Sequence, residues 1–381
     1  MEKRNSPYIL IAGDLVPTRK NFIEFSNGDI LSLIHDDFKT IWDNASLRVF
    51  NLETPITDSS DEFMKAGTFL GAKAATFEGI KNLNPSLVCL ANNHIMDLGV
   101  RGAYDTIGLL DNANIPYIGF GNNLNEMVDF RYFVVNNKKI GFFNCCEHEF
   151  TYAKEDSCGT SVFNPLSSLF RIQELKKECD YLIIIYHGGR ELYEYCTPKL
   201  KETCHAIAKA GADLIICQHS HCISCSEIFE DTHIIYGQGN FIFDIDEEGL
   251  WEKLTKNSLL VKLNLENLSI EFIGFHKEGK KIKLDLNQQQ EDFKKRSKDI
   301  LDNEFVKQKY IEDIKYKSYH YFRQILSTQF LGALDKRIFK SYFMRKRYKK
   351  LRLLLINYFD CEVHIENILT YLKEINVLYR N

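Results

Sequence analysis

The chain has 381 residues, 45% of them hydrophobic and 26% charged, with a formal net charge of −4. That is apolar material for a large core and, at about 150 residues each, two or three domains. The composition excludes a disordered, fibrous or disulfide-stapled protein, and the near-neutral balance gives no general bias toward nucleic acid or anionic lipid. Met1 to Pro7 leads straight into a strand-like run, without the apolar stretch of a targeting segment. No run of about 18 uncharged apolar residues suggests a membrane span.

Short apolar runs alternate with amphipathic ones from residue 8 to about 278. Tyr8–Ala12 reads as a strand ending in Gly13-Asp14, and a helical pattern follows at 30–43. Leu47–Asn51 ends in Asn51-Leu52-Glu53-Thr54-Pro55, with a helix at 73–82. Leu87–Ala91 runs into Asn92-Asn93-His94, with Asp97 and Gly99 just beyond, and 100–113 is helical again. Residues 130–144 read as strand with turns and 165–178 as helix. Tyr181–Tyr186 then delivers His187-Gly188-Gly189-Arg190-Glu191, and 198–210 is helical. Asp213–Cys217 ends in Gln218-His219-Ser220-His221, and 226–244 and 257–276 read as strands with little helix. Strands this apolar are buried on both faces under helices, which predicts an α/β sandwich, half in βαβ order and half mixed or antiparallel. After Lys281 glycine becomes scarce, proline vanishes and apolar residues recur at helical spacing (Phe305, Tyr310, Ile314; Leu351, Leu354, Leu355, Tyr358). The expected division is a sandwich over 1–285 and a helical extension over 286–381.

Ligands of α/β sheets sit beyond the carboxyl ends of the strands. Five strand ends here carry Asp14, Glu53, Asn93 with His94, His187, and His219 with His221, expected along one edge of one sheet. Carboxylates, an amide oxygen and neutral imidazoles suit one or two divalent ions such as Zn, Mn or Fe, and a bridging carboxylate between two ions describes a hydrolytic site. On an extended segment the histidines of His-x-His point apart and serve different partners. Each motif alone has a bland reading as a turn or solvated loop; their conjunction carries the metal-site expectation. Arg190 could fork onto a substrate phosphate or carboxylate, or form a surface ion pair, with Glu191 beside it. Asn240 could orient a ligand histidine or contact substrate. Cys217, Cys222 and Cys225 flank the His-x-His, but the second Cys-x-x-Cys of a structural zinc site is missing. They read as buried thiols, as do Cys145 and Cys146 near His148.

Together with Gly211-Ala212-Asp213 and Ile235-Tyr236-Gly237-Gln238-Gly239-Asn240-Phe241-Ile242-Phe243, these motifs resemble, over about 8–245, the capsule synthesis protein CapA family, also called the poly-γ-glutamate biosynthesis PgsA/CapA family. That family is similar to the calcineurin-like metallophosphoesterases. The resemblance implies a four-layer α/β/β/α sandwich, here with a C-terminal all-helical extension, and a dinuclear metal centre. It makes Asp14 the first-strand ligand, Glu53 the bridging carboxylate, Asn93 and His187 ligands of the second metal, and His219 and His221 the closing pair. His94 would protonate the leaving group or clamp the transition-state oxygens, with Asp97 holding its tautomer. Metallophosphoesterases at large carry Asp-x-His after the first strand; here Asp14-Leu15-Val16 lacks the histidine.

The expected function is a CapA-type, metal-dependent phosphoester hydrolase acting on a phosphorylated or polymer-precursor substrate in capsule or other surface-polymer synthesis. A non-catalytic assembly factor with a structural or vestigial metal site is the alternative, and a nuclease-like phosphodiesterase is a weaker third, nucleic acid being disfavoured as a partner. The eleven cysteines are odd in number and lack a framework spacing, as expected for reduced thiols in the cytoplasm. Lys336–Arg352 holds nine basic residues and no acid, interleaved with aromatics. That suits contact with the inner membrane face or a synthase, or else a solvated helix face.

Overall fold

The computed structural model describes residues 6–63, 65, 67–149, 151–244, 249–285, 290–315 and 353–378. Strands β1 (Tyr8–Val16), β2 (Leu47–Leu52), β3 (Leu87–Cys89) and β4 (Tyr117–Ile118) lie parallel, side by side. The short β5 (Phe120–Gly121) and β6 (Met127–Val128) pair at the crossover to a second sheet. There β7 (Phe130–Val135) and β8 (Lys138–Cys146) form a hairpin turned at Asn136 and Asn137, both in the left-handed region that asparagine tolerates. β9 (Gly159–Thr160) returns to β5, and β10 (Tyr181–His187) and β11 (Leu214–Gln218) run parallel to β8. β12 (Ser226–Phe229) and β13 (Thr232–Ile235) complete the order β12-β13-β11-β10-β8-β7. The chain then recrosses. β14 (Asn240–Phe243) joins the carboxyl half of β1, while β15 (Asn257–Asn264), β16 (Ile270–Glu278) and β17 (Lys281–Leu284) extend the first sheet antiparallel.

Side chains alternate along these strands, and the alternation builds the layers. In β1, Ile9 and Ile11 face inward with Val49, Ile183, Ile185 and Ile216, a shared core between the two sheets. Leu10 and Ala12 face outward, where they meet Phe25, Phe38, Trp42, Ile80 and Leu110 from helices on the first sheet. In β10 the outward residues Leu182, Ile184 and Tyr186 pack with Ile172, Leu200 and Ile207 of the helices Ser167–Lys177 and Pro198–Lys209. The architecture is therefore an α/β/β/α sandwich. The helix expected at 30–43 is interrupted: Ile34 bridges Ile282 and the amide of His35 donates to the Ile282 carbonyl, so only a 3-10 turn at Ile30–Ser32 precedes the helix Asp36–Asp43. Pairing with β17 overrides local helical periodicity there.

Helical stretches at Gln290–Asp299, 303–315, 353–360 and Glu362–Leu378 follow the last strand. Phe293 packs with Ile223 and Leu259, Ile300 and Val306 enter the outer core of the second sheet, and Tyr310 and Ile314 pack with Tyr193. The basic segment 336–352 lies outside the described residues. Among those that are described, no helix is long and apolar enough to cross a membrane.

Gly13 carries a positional demand. A Cβ there would stand 1.9 Å from the carbonyl oxygen of Gly239, where β14 closes on β1. Backbone, not a yielding side chain, is in the way. Gly13→Ala is expected to destabilise the fold by about 1–3 kcal/mol, the cost of overpacking a close contact. Urea unfolding checks this, and an unchanged midpoint would refute the close approach.

Candidate metal centre

The site residues come from two sheets, which corrects the expectation of a single sheet edge. Asp14 lies in β1 and Glu53 directly follows β2; Asn93 and His94 follow β3. His187 ends β10, and His219 and His221 follow β11. The first three positions belong to one sheet and the last two to the other, so the donors meet across the shared core at its carboxyl rim. A single run of strand ends cannot distinguish these arrangements, because both put the same residues after the same strands.

Two sets of potential ligands form there, Asp14–Glu53–His187 and Glu53–His219–His221, with the donor atoms of each set within 4.8 Å of one another. Glu53 belongs to both. His187 Nε2 lies 3.2 Å from Glu53 Oε1 and 3.1 Å from Asn93 Oδ1. His221 Nδ1 lies 3.7 Å from Glu53 Oε2 and 3.6 Å from Asp14 Oδ2. Both Glu53 oxygens are fully buried and have no hydrogen-bond partner. An uncompensated buried carboxylate costs several kcal/mol, so the arrangement is one that a divalent cation would relieve.

His219 and His221 are not on extended backbone. Both sit in the left-handed region, at φ 82° and 56°, in a loop that begins as β11 ends. Instead of pointing to separate partners, their rings lie 6.0 Å apart within one donor set. Strained backbone of this kind in non-glycine residues concentrates at functional sites.

The electrostatics follow from burial. Desolvation, reinforced by Glu53, lifts Asp14 to about 6, and desolvation also raises Glu53. Burial lowers His187 to about 3 and holds His219 well below the usual imidazole range, so both remain neutral donors at neutral pH. For His221 burial acts downward, but the Glu53, Asp14 and Glu191 carboxylates and the bond to Asn240 outweigh it and raise the imidazole. Nitrogen and oxygen donors with no thiolate suit Zn, Mn or Fe. All eleven cysteines are free thiols, and none belongs to a ligand set among the described residues.

Supporting amides hold these groups. Asn51 Nδ2 donates to Asp14 Oδ1 at 2.7 Å, and Asn92 Nδ2 donates to Asn51 Oδ1 and the Leu52 carbonyl. Asn92 Oδ1 also accepts from the amides of His94 and Ile95, fixing the loop after β3. Asn240, in register with Asp14, places Oδ1 2.9 Å from His221 Nδ1. His94 Nδ1 sits 2.6 Å from Asp97 Oδ2, which also accepts from the Leu70 amide. Lys65, buried, pairs with Asp97 and lies 3.1 Å from His94 Nδ1.

Beside the donors is a cavity of about 470 Å³ that reaches His94, His219, Lys65, Glu147 and Glu149. Lys65 and Glu149 carry no motif signal in the sequence, whereas Glu147 directly follows the buried strand β8, a strand-end position beside Cys145, Cys146 and His148, a stretch that reads as core from the sequence. Desolvation raises Glu147 well above the carboxylate range and Glu149 to about 7. Glu191 is exposed, with Oε1 4.0 Å from His219 Nε2. Arg190 also borders the cavity, but its guanidinium ion-pairs with Asp313 at 2.6 Å and donates to Asn367 Oδ1 at 2.5 Å. It is buried rather than at the surface, and its fork is directed at the C-terminal helices.

The chain is similar to known proteins. The capsule biosynthesis protein CapA of Bacillus anthracis is 30% identical over 227 residues, covering 57% of this chain and 54% of that protein. The PGA biosynthesis protein CapA of Bacillus subtilis (strain 168) is 30% identical over 222 residues, covering 57% of each. The chain thus spans little more than half the length of these curated relatives. Among solved structures, a phosphatase from Mycoplasma pneumoniae aligns with a TM-score of 0.44 and 15% identity, over 72% of this chain and 95% of that one. A 5′-nucleotidase precursor from Thermus thermophilus aligns at 0.41 and 13%, over 74% and 54%. Residues 8–245, more than half of the sequence, match the family model described as bacterial capsule synthesis protein PGA_cap, and the chain belongs to that family.

Proposed function

We propose that this chain is a metal-dependent phosphoester hydrolase acting on a phosphorylated precursor of a capsule or other surface polymer, with residues 1–285 as the hydrolase unit. The observation that carries the reading is Glu53: both oxygens buried, neither hydrogen-bonded, and shared by two sets of ligands. Asp14, Glu53, Asn93, His187, His219 and His221 would hold one or two divalent ions. Ions held there would neutralise phosphoryl charge and lower the pKa of the attacking water. The chain's own residues supply the rest. Asn51 and Asn240 orient Asp14 and His221, and Asp97 accepts from Nδ1–H of His94, so that in its doubly protonated form the ring presents Nε2–H to the departing alkoxide and is left neutral after giving that proton. Lys65 balances the charge of Asp97 by pairing with it.

The test is metal content of the purified chain together with hydrolysis of p-nitrophenyl phosphate. Bound metal with turnover supports the reading; neither after loading with Mn or Zn would sink it. The buried Val16, in the position where an Asp-x-His motif has its imidazole, favours the second reading, a non-catalytic assembly factor. Metal binding without turnover of any ester would select it. Asn240→Ala should weaken metal binding by about 10- to 100-fold, as loss of a ligand-orienting partner does. A competition titration against a chelating dye measures it, and an unchanged affinity would remove Asn240 from the supporting set.

A further inference from the structure

The family match ends at residue 245, yet the cavity beside the donors is closed by residues far beyond it. Asn357, Tyr358 and His364 line it together with Asn93, His94 and His219. This wall is built into the site rather than laid on it. Arg190, three residues after His187, pairs with Asp313 and Asn367, and the buried Tyr310 hydroxyl donates to Asn367 at 2.7 Å. The next residue back in the same helix, Glu366, accepts from the Lys199 amide through Oε1 at 3.0 Å.

The cavity, at about 470 Å³, falls in the range of small-molecule sites and has room for more than a phosphoryl group. Its chemistry away from the metal donors is one-sided. Glu147, Glu149 and Glu191 contribute carboxyl groups, and the C-terminal wall adds an amide, a phenol and an imidazole. Lys65 and Arg190 are the cations among the described lining residues, and each already faces an acid, Asp97 and Asp313. Among the described lining residues, a second anionic group on a ligand would find no cation without an acid already beside it, and would meet the ionised Glu191 and the part-ionised Glu149. Hydroxyl groups would meet acceptors and donors on both walls.

We propose that the C-terminal helices form the alcohol-side pocket of the active site, and that the phosphoester held there carries a neutral, hydroxyl-rich, sugar-sized moiety rather than a polyanion. The proposal rests on the hydrolase reading for the phosphoryl end alone. Glucose 1-phosphate and glucose 1,6-bisphosphate differ by one added phosphate on the same ring and serve as probes. Calorimetry on the full, Mn-loaded chain should show the monophosphate binding about tenfold more tightly, the direction set by like-charge juxtaposition. His364→Ala and Asn357→Ala should each weaken glucose 1-phosphate binding several-fold, leaving metal content unchanged. Glu149→Lys should narrow the gap between the two probes. Equal or tighter binding of the bisphosphate, or wall variants without effect on glucose 1-phosphate, overturns the proposal. Because binding is read without turnover, failure to hydrolyse any ester would count against the hydrolase reading and leave the measured pocket preference standing.

Discussion

Glu53→Gln should leave a folded chain that no longer retains divalent metal, with hydrolysis lost by about 100-fold or more, beyond the 10- to 100-fold typical of losing an outer-shell partner. The amide keeps the volume but removes the charge that both ligand sets share. Without metal, the variant should be as stable as the parent or more so. Glu53 is a buried acid without a hydrogen bond, beside Asp14, and burial raises both. Removing one of two adjacent buried acids relieves desolvation and repulsion together. With metal, the order reverses. A ligand that binds only the native state adds about 2.7 kcal/mol at a concentration 100 times its dissociation constant, a gain open to the parent but not the variant. Thermal melts with and without Mn, beside metal analysis, make the comparison. Metal uptake by the parent should also weaken as pH falls toward and through about 6, since a proton competes first at His221, whose imidazole is raised, and then at Asp14. His187, neutral down to about 3, would not contribute in that window. A variant that kept its metal would show that Glu53 is not the shared ligand.

Much of this centre is legible in the sequence because its residues are bound to strand ends, and buried strands announce themselves by composition. Ile9 to Ala12 and Leu182 to Tyr186 are apolar without interruption because both faces are covered, so the positions just after them are readable. What is not legible is anything that depends on how distant segments meet. Nothing local shows that Asp14 and His187 belong to different sheets, since parallel neighbours are not encoded in either strand alone. The left-handed backbone at His219 and His221 is equally hidden, because the surrounding contacts impose it against the preference of both residues. Lys65 reaches the site from a polar loop by its length, and Arg190 is drawn away by Asp313, more than a hundred positions downstream. Motifs mark the candidate donors; tertiary contacts decide which charged neighbours face them.

His94→Ala should separate two roles that geometry alone leaves together. Its Nδ1 is held by Asp97 at 2.6 Å, and the residue borders the cavity beside the donors without belonging to either ligand set. Metal content should therefore be unchanged. If His94 protonates the leaving oxygen, the loss should fall on esters whose alkoxide needs that proton. An alkyl phosphate should slow by about 10²- to 10⁴-fold, the usual contribution of general acid catalysis. p-Nitrophenyl phosphate, whose phenolate departs unaided, should slow far less. If the imidazole instead clamps the phosphoryl oxygens, both esters should slow by the same factor, because those oxygens are common to both. Asp97→Asn provides the companion measurement. The amide can still hold the ring, but it no longer selects the same tautomer or balances Lys65, so the alkyl ester should again suffer more. Equal losses on the two esters in both variants would assign the pair to oxygen binding and leave the proton donor to be sought among the buried acids Glu147 and Glu149, which are held partly or wholly protonated by their burial.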